Sequence, residues 1–222
     1  MSFKNKLTEE KKKNKKSEES PDEELMKLLS FPPERPELRV TGIYGDVTEE
    51  KCSELVYSLL SLEQTAARTV AKQDEEGEIV DVEVREPIEF YISTFGGQAS
   101  EMFSVYDLMR KIRVNTDIKT YGIGKVMSAG VLLLAAGTPG HRYIGKNCRI
   151  MLHGVVAGQQ GHILDMENEF AETKTTQKMY IEALASETKM NQKYIKRLIN
   201  KNKNIYIDAQ EAVKLGIADI IF

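Results

Sequence analysis

The sequence lacks a long apolar run: no stretch approaches the ~18 consecutive apolar residues of a membrane span. The N-terminus has no apolar signal-peptide core, and its glutamates are wrong for an organellar transit peptide. Cysteine is scarce. Cys52 and Cys148 are too few for a disulfide framework and lack metal-ligand spacing, so neither a metal nor a cofactor is expected. A soluble chain in a reducing, cytoplasmic compartment fits these absences. Charge of one sign is missing too: 31 basic against 34 acidic residues give a net −3, which argues against nucleic-acid binding. Basic residues cluster only within the first sixteen positions ("KNKLTEEKKKNKK"), where acids follow at once, as in a solvated tail. Histidine occurs three times, so any catalytic base has few candidates.

The 222 residues are enough for one sizeable core, or one domain with a tail. Residues 1–37 are polar, charged and proline-punctuated ("SFPPERPE"), and are expected to form a mobile arm. The pattern changes at Leu38, and residues 38–222 are expected to form the folded domain. "LRVTGIYG" reads as a strand. "DVTEEKCSELVYSLLSLEQ" reads as a helix with cap candidates Asp46 and Thr48 and acidic first-turn residues. Residues 67–87 form a charged excursion with a hairpin signal around Glu76-Gly77. "IEFYIST" reads as a buried strand ending in the turn Phe95-Gly96-Gly97. "QASEMFSVYDLMRKI" follows as an amphipathic helix with Met102, Val105, Leu108, Met109 and Ile112 on one side. "DIKTYGI" is the next strand, then a short apolar helix after Ser128, then strands "HRYIG" and "RIMLH". Strands alternating with helices through short turns indicate an α/β domain of repeated strand–helix units. The stretch from about His162 to Glu187 reads as one long helix with apolar ends and a polar middle, Glu172 to Lys178. Such a helix cannot bury its whole length and is expected to project, against a partner.

Ser128, in "GIGKVMSAGV", admits two readings. A serine at a helix start is an ordinary cap. It also follows a strand closely, so its hydroxyl stands near the carboxyl edge of a sheet, where α/β proteins place their sites. It is not a G-x-S-x-G elbow, because Val126 occupies the first glycine position. A nucleophilic serine needs a base. His141, in "GTPGHRY", reads as a surface turn residue, and His162 as a solvated helix start. His153 ends the apolar strand "CRIMLH" and is the best-placed partner, although a lone histidine at a strand end is more often merely structural. The Phe95-Gly96-Gly97 turn ends another strand. Its glycines allow the close backbone approach that an oxyanion hole requires.

These residues carry a family resemblance. "YISTFGGQ", "YDLM", "GKVMSAGVLLLAAG", "RYIGKNCRIMLHG", "GQQGHILDME" and "DAQEAVKLGIAD" resemble, in order and spacing, the Clp protease proteolytic subunit (ClpP) family. The match runs from about Leu38 to Ile221. It implies a crotonase-type fold and a serine peptidase in which Ser128 is the nucleophile, His153 the base, and the Gly97 and Ala129 amides the oxyanion hole. The 25-residue separation from Ser128 to His153 is the family's usual one. The helix at about 162–187 resembles the family's handle, which interlocks two rings.

Several positions depart from the family. Phe95 replaces the proline before the glycines, Gly154-Val155 replace the usual residues after the histidine, and the 67–87 excursion is longer than the family's loop. The arm does not resemble the usual axial-loop sequence. The third triad position, an aspartate in the family, falls in "NKNKNIYIDAQEAV". Counting back from Tyr206 gives Asn204, and counting forward from His153 gives Asn202. No carboxylate occurs between Glu187 and Asp208. An asparagine can orient a histidine, but without a charge to stabilise the imidazolium; in the trypsin-type triad that change costs about 10⁴ in kcat. Slow chemistry, or help from Asp208 or a neighbouring subunit, is therefore expected.

The resemblance implies a self-compartmentalised serine endopeptidase in stacked, heptameric homo-oligomeric rings. An AAA+ unfoldase, which itself binds the ATP, would feed it unfolded polypeptide. The missing aspartate also supports a second reading, a catalytically weak structural subunit mixed with an active homologue. A third is a crotonase-type acyl-CoA enzyme, which has no use for a serine–histidine pair at this spacing.

Overall fold

The computed structural model describes residues 38–73, 77–158, 160–200 and 203–222. The arm at 1–37, the turn residue Glu76 and Asn202 lie outside the described residues. Alternation along β1 (Val40–Val47) buries Ile43 and Val47. Helix α1 (Glu49–Gln64) starts at Thr48, whose hydroxyl accepts from the Lys51 amide, while Glu49 and Glu50 complement the helix dipole. Asp46, the other cap candidate, lies within β1. Strands β2 (Ala67–Gln73) and β3 (Ile79–Arg85) pair antiparallel as a separate two-stranded ribbon. Its base is held by Arg85, whose Nε donates to Thr116 Oγ1 at 2.8 Å.

The chain then builds β4 (Ile88–Gly97), α2 (Ala99–Ile112), β5 (Ile118–Met127), α3 (Ala129–Ala135), β6 (Arg142–Ile144) and β7 (Arg149–Leu152). It ends with α4 (Ile163–Glu187), α5 (Gln192–Ile199), β8 (Ile205–Ile207), α6 (Ala209–Leu215) and β9 (Ile220–Ile221). A seven-stranded sheet runs β1-β4-β5-β6-β9, with β7 beside β5 and β8 beside β7. All its pairs are parallel except β7–β8. This is the mixed α/β architecture that the crotonase-type resemblance implies. Strand β5 forks: Thr120–Gly122 pair with β6, and Lys125–Met127 pair with β7. One face carries the buried core, including Phe90, Ile92, Met109 and Leu132. On the other, Tyr91, Tyr121 and Tyr143 stack across neighbouring strands with ring centroids 4.6 and 4.7 Å apart, and Phe222 meets Tyr121 edge-on.

Two strands run further than their sequence pattern suggests. Strand β4 continues through Phe95-Gly96-Gly97 instead of turning there, because Gly97 pairs with Val47, whose carbonyl oxygen would lie 2.2 Å from a Cβ at that position. Strand β5 continues to Met127 because β7 offers it a fresh partner. Helix α4 is exposed over its apolar start, where Ile163 is 75% and Phe170 57% accessible, and enters the core only from Tyr180. No described helix is long and apolar enough to cross a membrane.

Helix α3 is buried at every position, so its terminal carbonyls cannot reach water. Arg113 Nη1 donates to the Ala136 and Gly137 carbonyls at 2.8 and 3.0 Å, and Arg142 Nη1 donates to Ala135 O at 3.3 Å. Both cations are matched. Glu187 takes Arg113 at 2.9 Å and Arg110 at 2.6 Å, and Asp219 takes Arg142 at 2.5 Å. Burial alone would push the Glu187 carboxyl up, but hydrogen bonds from Arg113 and Arg110 together with the Arg113 charge hold it below its ordinary value. Asp219 is held down likewise, its burial outweighed by Arg142 and the Gly140 amide.

Because both carboxyls are depressed on folding, their contribution is complete above the ordinary carboxylate range and is lost as pH falls through the folded values. The melting temperature is therefore expected to hold from neutrality to about pH 5 and to fall below about pH 4. Glu187→Ala, which strands Arg113 inside the protein, is expected to cost about 3 kcal/mol in urea unfolding.

Candidate active site

Strands β4, β5 and β7 are parallel neighbours, so their carboxyl ends share one edge of the sheet. Ser128 follows the last residue of β5 and His153 the last residue of β7. A cleft of about 310 Å³ opens there, and Ser128, His153, Gly97 and Ala129 all line it. Phe95, Met102, Val155, Val156 and Tyr180 supply its apolar walls. Ala129 opens α3, so its amide belongs to the first-turn N–H groups without an intrahelical acceptor.

Ser128 does not act as a helix cap. Its backbone sits at φ 52°, ψ −119°, not in the extended region a cap requires, and its side chain makes no capping hydrogen bond. Among the described residues it alone, glycines aside, has a positive φ. Such a conformation costs about 1–3 kcal/mol and persists only where its surroundings over-determine it. Here three bonds do so. The Ser128 amide donates to Met151 O at 2.8 Å, while its carbonyl accepts from the Val131 amide at 2.9 Å and the Tyr180 hydroxyl at 3.0 Å. Burial pushes the Tyr180 hydroxyl far up, keeping it a donor at any physiological pH. Glycines make the space. A Cβ on Gly96, itself at φ +100°, would lie 2.6 Å from Ser128 Cβ, and one on Gly130 would lie 2.4 Å from Thr94 Cγ2.

His153 is half-buried at the cleft. Behind it, the Val155 amide donates to Gln177 Oε1 of α4 at 3.2 Å. The antiparallel register of β7 with β8 sets Ile150 against Ile207, Met151 against Tyr206 and Leu152 against Ile205. The ladder ends there, so His153 and Asn204 are the next residues beyond it on the two strands. Asn204 is exposed, and no hydrogen bond joins it to His153 among the described residues. Asp208, the alternative carboxylate, is occupied as the cap of α6, accepting from the Glu211 amide at 2.9 Å. His162 is exposed at the start of α4. His141 is not a simple surface residue: it is half-buried, its backbone bridges Thr138 and Thr120, and its Nδ1 is enclosed without a partner among the described residues. Burial pushes the Cys148 thiol up to about 11, and burial with nearby Glu101 does the same to Cys52, so neither is a thiolate at neutral pH.

Tyr180 and Gln177 were not among the residues singled out from sequence. Their signal was present in the helix period: Thr173, Gln177, Tyr180 and Leu184 fall on the least exposed stripe of α4. The first two are polar, which disguised the stripe as part of a solvated middle.

A family model described as Clp protease matches residues 78–222. Among curated relatives, "ATP-dependent Clp protease proteolytic subunit 1" of Corynebacterium glutamicum is 28% identical over 186 residues, 82% of this chain and 84% of the relative. "ATP-dependent Clp protease proteolytic subunit 2" of Corynebacterium jeikeium is 33% identical over 136 residues, 61% of this chain and 63% of the relative.

Gly96→Ala tests how closely the strand end and the serine are fitted. It should destabilise the fold by at least about 2 kcal/mol in urea unfolding, from backbone strain and the clash with Ser128 together. Ser100→Ala, on the exposed first turn of α2, is the control and should shift stability by less than about 0.5 kcal/mol.

Proposed function

Since this chain belongs to the Clp protease family, we propose that it is a serine endopeptidase subunit that cleaves unfolded polypeptide inside a ring-shaped assembly. The observation that carries the reading is the single cleft lined by Ser128, His153, Gly97 and Ala129, with Ser128 held in a strained conformation at its strand end. In this reading Ser128 Oγ attacks the scissile carbonyl carbon while His153 takes the hydroxyl proton. The Gly97 and Ala129 amides donate to the oxyanion of the tetrahedral intermediate. His153 then returns the proton to the leaving amine, the C–N bond breaks, and an acyl-Ser128 ester remains. Water, deprotonated by His153, hydrolyses the ester and restores Ser128. Asn204 is assigned as the residue that orients His153, on the strength of the β7–β8 register. Being neutral, it holds the imidazole without stabilising its protonated form.

The relatives' names, ATP-dependent Clp protease proteolytic subunits, support an assembly fed by an ATP-driven unfoldase of the AAA+ class. The exposed apolar start of α4, with Ile163, Leu164 and Phe170, suits contact between stacked rings. The numbered subunits among the relatives make a mixed ring with a homologous chain a further form of the same assembly.

Treatment with a fluorophosphonate should add one phosphonyl group per chain by intact mass, and Ser128→Ala should abolish it together with peptide hydrolysis. Equal labelling of both proteins would overturn the assignment of Ser128. Asn204→Asp supplies the missing charge and is expected to raise kcat on a small peptide ester by at least about tenfold, with 10⁴ as the upper guide. Wild type and Asn204→Asp that assemble fully but stay inert would instead favour a structural subunit.

A further inference from the structure

We propose that Gln177 and Tyr180, one turn apart on α4, are positioning residues that hold the base-bearing and nucleophile-bearing segments at a fixed separation. The inference rests on the peptidase reading of Ser128 and His153 and adds to it the part that sets their geometry. Residues three apart on a helix share a face, so the two side chains leave α4 on the same side. The Tyr180 hydroxyl reaches the Ser128 carbonyl at 3.0 Å, and Gln177 Oε1 accepts the Val155 amide two residues beyond His153 at 3.2 Å. One rigid rod thus grips both strand ends.

Each grip answers a specific need. Ser128 sits in a conformation that relaxes unless its peptide groups are tied down, and among the described residues Tyr180 supplies the one tie that comes from a side chain. The segment after His153 leaves β7 and makes no ladder bond past Leu152 among the described residues. Its tie to α4 is the Gln177 bond. Gly154 fits this arrangement, since a Cβ there would stand 2.9 Å from Gln177 Oε1. The polar middle of α4 gains a purpose that a solvent-facing or partner-facing stretch does not give it. Gln177 is the part of that middle turned inward, and Tyr180 begins the part that is buried. An apolar side chain at 177 would leave the Val155 amide without its acceptor.

The full-length protein carries the test, as Tyr180→Phe, Gln177→Leu and Gln177→Glu. Tyr180→Phe keeps the ring and removes only the donor. Gln177→Glu keeps an acceptor oxygen, and Gln177→Leu does not. Loss of one neutral hydrogen bond should lower kcat and the fluorophosphonate labelling rate about three- to tenfold in Tyr180→Phe and Gln177→Leu. KM should move less than about twofold in both, because Tyr180→Phe keeps the ring that lines the cleft and Gln177 lies outside its lining. Gln177→Glu should restore most of the rate. Hydrogen exchange followed by mass spectrometry, which needs no activity, should show the 153–158 segment less protected in Gln177→Leu and protected again in Gln177→Glu. Unaltered labelling and turnover in all three variants, with Ser128 labelled in the wild type, would overturn the positioning role. Equal exchange of the segment in every protein would overturn the part assigned to Gln177. A wild type that is never labelled, but whose segment responds as described, would sink the peptidase reading and leave the structural clamp standing.

Discussion

A short helix without a polar face has nowhere to send its last carbonyls, and the architecture around the cleft answers that constraint. Helix α3 lies wholly inside the protein, so the oxygens of Ala135, Ala136 and Gly137 must find donors within it. Arg113 and Arg142 supply them. Two arginines in a protein interior need counter-charges of their own. Glu187 at the end of α4 and Asp219 just before β9 provide these. The backbone requirement of seven residues therefore ties together the segment after α2, strand β6, the end of α4 and the approach to β9. Nothing in that set touches the cleft, yet all of it fixes the helix on which Ser128 stands.

The opposite end of α3 is fixed by different means. Parallel pairing brings the ends of β4, β5 and β7 to one edge, and the fork in β5 lets β7 lie beside the segment leading to Ser128. The serine's amide is thereby bonded to β7, directly before His153 in the chain. Ser128 and His153 are related through one ladder of hydrogen bonds, with α4 bracing it from the side.

Much of this was readable from residue order. The alternation of "IEFYIST", the amphipathic period of "QASEMFSVYDLMRKI" and the unbroken apolar run after Ser128 each specify one environment. Counting back from Tyr206 singles out Asn204, and the β7–β8 ladder, which ends at Leu152 and Ile205, leaves that residue next in line on β8's side. Backbone strain was not readable. The dihedral angles of Ser128 come from the contest between strand pairing and helix entry, and only the neighbouring glycines, Gly96 and Gly130, hint that space is short. The extension of β4 through two glycines was hidden for a related reason: glycine signals freedom, and here that freedom serves close approach to Val47 instead of a turn. Gln177 is hidden in sequence because a polar side chain in a helix looks solvated until a partner for its atoms is known, and Tyr180 because it sits in a run that reads as plain apolar core.

The stacked tyrosines on the far face of the sheet have an optical consequence. The protein contains no tryptophan, so no indole absorbs or emits over the phenols. Tyr91, Tyr121 and Tyr143 lie nearly parallel on β4, β5 and β6, close enough for their transition dipoles to couple. Coupled chromophores in a fixed chiral array give a near-ultraviolet circular dichroism that vanishes once the strands separate. The sheet that carries the cleft on one edge thus reports its own integrity in unlabelled protein.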